Sequence, residues 1–187
     1  MARASDQRPG RMTFEEFIDW ALAQPDGRYE LIDGEVVAMA PERVGHARLK
    51  AQIWLALREA IRDRDLPCEA FPDGMTVKID GRTGYEPDAV VHCGEPLPSD
   101  AVSVPAPVIV VEVLSPRTAS RDVGAKLADY FRVPSVRHYL IARTDRPTII
   151  HHRRGEEGEG IVTRIITGGA LVLDPPGLTL DLARIYG

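Results

Sequence analysis

Cysteine is nearly absent. The 187-residue chain has two, Cys68 and Cys93, with no metal-ligand spacing and no Cys/His set beside them. A zinc site is therefore not expected, and both residues are expected as reduced thiols. Aromatic residues make up 6% of the chain and the net charge is −5. The first tilts away from a protein that stacks on unpaired bases, and the second argues against a general polyanion binder, although a local basic groove stays open. No apolar run approaches the ~20 residues that span a bilayer, so no membrane partner is expected. The opening Met-Ala-Arg-Ala-Ser-Asp-Gln-Arg-Pro-Gly lacks the apolar core of a signal peptide, which makes the cytoplasm the expected compartment. Internal repeats and a dividing linker are also missing. What remains is a composition with 44% hydrophobic and 27% charged residues, ordinary for a globular protein. It fits a flexible tail over residues 1–10 and a single domain over 11–187.

The chain is organised around Val108 to Leu114, apolar at every position except Glu112. A continuous β-branched run of that length reads as a strand buried on both faces. A carboxylate inside it needs a cation, a hydrogen-bond donor or a proton. Ser115-Pro116 ends the strand, and a helix begins near Ser120. Its stripe is Val123, Leu127, Tyr130 and Phe131, with Lys126 on the flank.

Upstream, Thr13-Phe-Glu-Glu16 has the capping-box pattern and opens a helix that Pro25-Asp-Gly27 stops. Tyr29 to Met39 reads as a hairpin turning at Asp33-Gly34, with Glu30 and Glu35 on one face. His46 to Ile61 is the longest helix, with an outward basic strip of Arg48, Lys50, Arg58 and Arg62. Strands follow at Met75–Ile79, Pro87–His92, His138–Ile141, Thr148–His151 and Ile161–Ile166. Gly155 to Gly160 makes the last turn between strands, and a closing strand and short helix cover Leu178–Tyr186. His151 and His152 are strand neighbours and point to opposite faces, so they cannot share a metal.

Asp88 heads one strand and Glu112 lies inside the next. Two carboxylates converging on one point suit a hard divalent cation, which takes oxygen ligands and keeps several waters. Pro87-Asp88 followed by Glu112-Val-Leu114 resembles the PD-(D/E)xK nuclease superfamily. A longer ordered set is similar to the Uma-two family of restriction-endonuclease-like proteins, over residues 12–186. It comprises Tyr29-Glu-Leu-Ile-Asp-Gly-Glu35, His46, Pro87-Asp-Ala-Val-Val, Val-Glu-Val-Leu-Ser-Pro116, Thr118, Asp122, Lys126 and Tyr130.

The resemblance implies an α/β fold with a restriction-endonuclease-like αβββαβ core, a mixed sheet flanked by helices. An N-terminal helix and hairpin and extra C-terminal strands would be added to it. It also implies a Mg²⁺ or Mn²⁺ ion held by Asp88 and Glu112. The superfamily lysine two places after the glutamate is replaced by Leu114, and Lys126 on the following helix stands in for it. Glu35 or Glu30 would supply an additional acidic group, and His46 lies where the family often has a histidine. Val133 to Leu140 and Ala142 depart from the family pattern, outside the implied site.

Plainer readings stand beside these. Glu112 can be a buried acid paired with Lys126 or an arginine, and Lys126 can pair with Asp122 one turn earlier. Glu30 and Glu35 can form the solvated face of a hairpin, and His46 can cap or pack at its helix start. The leading expectation is a metal-dependent endonuclease acting on DNA, with nucleic acid as partner and a homodimer open. The alternatives are a catalytically weak nucleic-acid-binding or regulatory protein on a nuclease scaffold, and a protein-interaction module with a structural Glu112–Lys126 pair.

Overall fold

The protein is described by a computed structural model covering residues 10–114, 123–156 and 160–187. The expected tail, the Ser115-Pro116 strand stop, the helix start at Ser120 to Asp122, Thr118 and the Val123 side chain lie outside the described residues. So does the middle of the Gly155–Gly160 turn.

The N-terminal helix α1 (Phe14–Leu22) carries the complete capping box, with Thr13 and Glu16 each bonding the other's backbone N–H. The hairpin of β1 (Tyr29–Ile32) and β2 (Glu35–Ala38) turns at Asp33 and Gly34, both with positive φ, as a two-residue primed turn requires. Helix α2 (Val44–Asp63) follows, then β3 (Cys68–Pro72), β4 (Val77–Asp80), β5 (Thr83–Tyr85), β6 (Ala89–Cys93) and β7 (Pro107–Leu114). Helix α3 (Val123–Tyr130) leads to β8 (His138–Arg143), β9 (Ile149–Arg154) and β10 (Ile161–Ile166). A small hairpin, β11 (Ala170–Leu173) and β12 (Leu178–Asp181), and helix α4 (Leu182–Tyr186) close the chain.

The strands form a six-stranded sheet in the order β10-β9-β8-β7-β6-β3, a four-stranded sheet β2-β1-β5-β4, and the β11-β12 pair. The six-stranded sheet is mixed: β7 and β8 run parallel, with the α3 crossover between them, and the other pairs are antiparallel. The strands led by Asp88 and containing Glu112 are neighbours, β6 and β7.

Period two divides β7 between two cores. Ile109, Val111 and Val113 pack with Leu49, Ile53 and Leu57 of α2. Val110 packs on the other face with Tyr130 of α3 and Tyr139 of β8. Glu112 has the parity of Val110 and therefore looks toward α3.

Two expectations are corrected. Cys68 and Cys93 are joined as a disulfide, because β3 pairs with β6 in a register that sets them directly opposite. Cys-Glu-Ala-Phe-Pro shows no strand alternation, so that register was invisible in the sequence. Lys50 does not belong to the outward basic strip; it is buried and ion-paired, whereas Arg48, Arg58 and Arg62 are exposed.

His138 and His151 are buried side by side, Nδ1 to Nε2 at 2.8 Å, and His138 Nε2–H donates to the Pro175 carbonyl at 2.8 Å. That leaves His138 Nδ1 as an acceptor for His151 Nε2–H, so both rings are neutral. Burial pushes each imidazole down to about 4 from 6.5, with Arg153 near both, Arg137 near His138 and Arg164 near His151 adding to the effect; Asp174 opposes it at His138. The unfolded chain then binds more protons below pH 6.5, and stability falls from there to about pH 4, by about 3 kcal/mol per ring at most. Urea unfolding across that interval will show this loss, and His151→Gln will flatten the slope relative to the parent.

Candidate active site

Two clusters of charge meet where β7 ends and β6 begins, one under α3 and one against the start of α2. On the α3 face, Lys126 Nζ donates to Glu112 Oε1 at 2.9 Å and to Glu30 Oε1 at 2.8 Å. Tyr130, one turn after Lys126, donates its hydroxyl to the same Glu112 oxygen at 2.8 Å. Tyr85 lies under the ammonium, 4.9 Å from ring centroid to Nζ, and gives its own hydroxyl to Asp129. Glu30 also accepts the Glu86 backbone N–H at 3.2 Å.

Near the start of α2, the Val113 N–H donates to Asp88 Oδ2 at 2.7 Å, which locks Asp88 to the end of β7. His46, in the first turn of α2, directs Nε2–H to the Val113 carbonyl at 2.9 Å and lies 3.4 Å from Asp88 Oδ2. Its Nδ1 is buried without a hydrogen-bond partner and faces Glu42 Oε2 at 3.6 Å. Ligand atoms of Glu42, His46 and Asp88 lie within 4.8 Å of one another. Arg28 and Lys50 both grip Glu42 Oε1 and both reach Asp73 Oδ2, at 2.9 and 2.8 Å. Arg28 also bonds Glu86 at 2.7–2.8 Å. With Oε1 held from two sides, Glu42 turns Oε2 toward His46.

Six carboxylates, of Glu30, Glu42, Asp73, Glu86, Asp88 and Glu112, thus meet three permanent cations, Arg28, Lys50 and Lys126. The excess is negative, and it acts on the titration of the members. Burial pushes the Glu112 carboxyl upward; Asp88 and Glu30 add to this, while Lys126 opposes it. For Lys126 burial works against the charge, but Glu112 and Glu30 outweigh it and raise its affinity for the proton. The hydrogen bond with Asp88 raises His46 above its usual value, with burial opposing. Burial would raise Glu42, yet Lys50 and Arg28 hold it below the ordinary carboxylate range.

Of the sequence candidates, Asp88, Glu112, Lys126, Glu30 and His46 converge on this region. Glu35 does not: its side chain is 69% exposed and lies 3.7 Å from Arg11. Opposite residues of the hairpin share a face, so Glu30 and Glu35 do lie on one side of it, but only Glu30 sits where β1 pairs with β5. Sequence reasoning missed Glu42, Arg28, Lys50, Asp73 and Glu86. Glu42 carried a usable signal, four residues before His46 across a helix start. Tyr130, named as a stripe residue and within the family-like set but given no part in the site, stands four residues after Lys126, a spacing that puts both on one helix face.

The ligand atoms fit a divalent ion on structural grounds. Two carboxylates and an unpartnered imidazole nitrogen converge in acidic surroundings, and oxygen-rich sets with one imidazole suit Mn²⁺ or Mg²⁺ better than a thiolate metal.

Removing the Lys126 cation has a definite cost. Lys126→Met leaves Glu30 and Glu112 buried and facing each other, which costs about 3–5 kcal/mol of stability. Adding Glu112→Gln to Lys126→Met recovers part of it, and urea unfolding of the two single variants and the double will measure the coupling.

A crystal structure of "a putative nuclease belonging to DUF820" from Anabaena variabilis superposes with a TM-score of 0.70 at 16% identity, over 94% of this chain and 97% of that one. At that identity the likeness establishes the fold, a mixed α/β sheet with flanking helices. An uncharacterized protein of Synechocystis sp. is 24% identical over 177 residues, spanning 94% of this chain and 92% of its own length. The Uma2 family, described as "Putative restriction endonuclease", matches residues 14–184, and with nearly the whole chain inside that match the protein belongs to the Uma2 family.

Proposed function

We propose that the protein is a divalent-metal-dependent endonuclease that hydrolyses phosphodiester bonds, with DNA as its substrate and Mg²⁺ or Mn²⁺ as its ion. The observation that carries this reading is the convergence of Glu42, His46 and Asp88 beside the Glu112–Lys126 pair at one end of the sheet. A bound divalent ion would supply an activated water and a counter-charge for a phosphate oxygen.

Asp88, fixed by the Val113 N–H, and Glu42, aimed by Arg28 and Lys50, would hold that ion, with His46 Nδ1 completing the set. Glu112 lies across from Asp88 at the same end of β6 and β7. Its carboxyl is the one burial has made receptive to a proton, which suits it to take one from the attacking water. Lys126 cannot take that proton, because its two carboxylate partners hold it as an ammonium. Its part is electrostatic: a fixed positive charge beside the phosphorane as negative charge develops. Tyr130 keeps Glu112 and Lys126 in register by bonding the oxygen they share.

A second reading has an observation of its own. The Glu112–Lys126 pair is buried and closed by Glu30, as a purely structural pair would be. The Glu42–His46–Asp88 cluster is what that reading leaves unexplained.

Calorimetric titration with Mn²⁺ and Mg²⁺ separates the two. Asp88→Asn will abolish binding with an unchanged far-UV spectrum, Glu42→Gln will weaken it at least tenfold, and Glu35→Gln will leave it intact. The parent will cut DNA in the presence of either ion, and Asp88→Asn will not. A parent that binds no divalent ion and cuts no nucleic acid returns the site to the structural reading.

A further inference from the structure

We propose that the open groove between α2 and β3 is a track for a single strand of nucleic acid, holding unpaired nucleotides that flank the bond to be cut. Its placement relative to that bond rests on the nuclease reading above. The groove encloses about 590 Å³ and is lined by Trp54, Leu55, Arg58 and Arg62 of α2 and by Glu69 and Ala70 of β3, among others.

Contacts along one seam join it to the candidate site. Lys50 reaches Asp73 just beyond β3 at 2.8 Å, and one turn later the Trp54 indole N–H donates to the Ala70 carbonyl at 2.9 Å. Arg58 and Arg62 follow at four-residue intervals. From His46 to Arg62 the helix rises about 24 Å, enough for several nucleotides.

The lining selects the occupant. Arg58 and Arg62 are exposed; Arg62 meets only its neighbour Asp63, at 3.7 Å, and Arg58 has no ion pair among the described residues. The guanidinium of Arg58 lies instead over the Trp54 ring, 5.6 Å from its centroid, making a flat cationic platform. In a duplex both faces of each base are covered by neighbours, so only an unstacked base can use such a platform. Glu59 lies beside Arg58 on the helix and Glu69 stands in β3, so the backbone of a bound strand follows the arginine edge of α2.

A peptide strand is a poorer fit. The edge of β3 has one carbonyl taken by Trp54 and ends in Pro72, which has no N–H to offer, so strand addition is blunted. The net charge of −5 is a whole-chain sum and does not describe this seam.

The test uses the full chain with Ca²⁺ in place of Mg²⁺, a fluorescein-labelled 12-nucleotide single-stranded DNA, and a hairpin duplex of equal length. The single strand will bind at least tenfold tighter than the hairpin. The double variant Arg58→Met/Arg62→Met, at exposed helix positions, will lose about tenfold or more. Its slope of log K against log salt will fall by about 1.4, the value for two phosphates on a single strand. Arg58→Lys keeps the charge and loses the plane, so affinity will drop while the slope holds. Equal affinity and slope in parent and double variant would overturn the proposal, as would a hairpin that binds as tightly as the single strand. If the parent cuts nothing with Mg²⁺ or Mn²⁺ while the binding differences appear, the nuclease reading falls and the groove stands. If the parent cuts and the double variant binds and cuts equally well, the groove falls and the nuclease reading stands.

Discussion

One buried ammonium ties the site together. Lys126 of α3 donates to Glu112 in the middle of the six-stranded sheet and to Glu30 in the first strand of the smaller one. The first strand of the smaller sheet lies 96 residues from Lys126 in the chain, whereas β7 directly precedes α3, and each of the three elements brings a charge that could not be buried alone. The second core supports the same junction: Tyr130 packs with Val110 and Tyr139 and spends its hydroxyl on Glu112. Docking α3 is therefore the same event as neutralising β7. A sheet with Glu112 in place and α3 absent would hold an unpaired carboxylate in an apolar strand, so the fold and the site are stabilised or lost together.

The cluster at the start of α2 obeys the same electrostatics with a different outcome. Arg28 and Lys50 neutralise one oxygen of Glu42 together with Asp73 and Glu86, yet Asp88 and the second oxygen of Glu42 are left with only the His46 imidazole between them. Two carboxylates so close repel unless positive charge sits between them, and the rise in His46's proton affinity is that demand expressed through the one group able to answer it. A divalent ion meets the same demand with more charge. Glu112 has a resident cation bonded to it and Asp88 has none among the described residues, which divides the labour: one carboxylate is answered by a fixed charge and the other is left open to an exchangeable one.

Much of this was legible in the sequence, for identifiable reasons. The capping box, the Asp33-Gly34 turn and the unbroken apolar run of β7 are local signals, and each structure followed. Glu112 stood out because a strand buried on both faces has no place for a charge, and Lys126 because it flanked an apolar stripe. What could not be read depended on register between distant segments. Strand β3 lacks alternation, β5 is three residues long, and the Cys68–Cys93 link and the burial of Lys50 follow from how β3 lies beside β6 and α2. Glu30 and Glu35 show the same limit. Period two rightly placed both on one side of the hairpin, but only the pairing of β1 with β5 decides which is carried inward.

The position of the lysine has a consequence of its own. A lysine at position 114 would share the strand face of Glu112 and would be set in place by β7 alone. Leu114 fills that place, and the ammonium arrives instead from a helix, at the end of a flexible stem. A helix-borne ammonium needs a second anchor to hold one geometry, and Glu30 provides it. The anchor in turn requires the hairpin to sit against β5, where Glu30 also accepts the Glu86 N–H, one residue ahead of Pro87-Asp88. Moving the cation off the strand thus recruits the N-terminal hairpin into the site and couples it, through the backbone at Glu86, to Asp88. The hairpin is then no ornament on a nuclease core, because the lysine cannot be positioned without it.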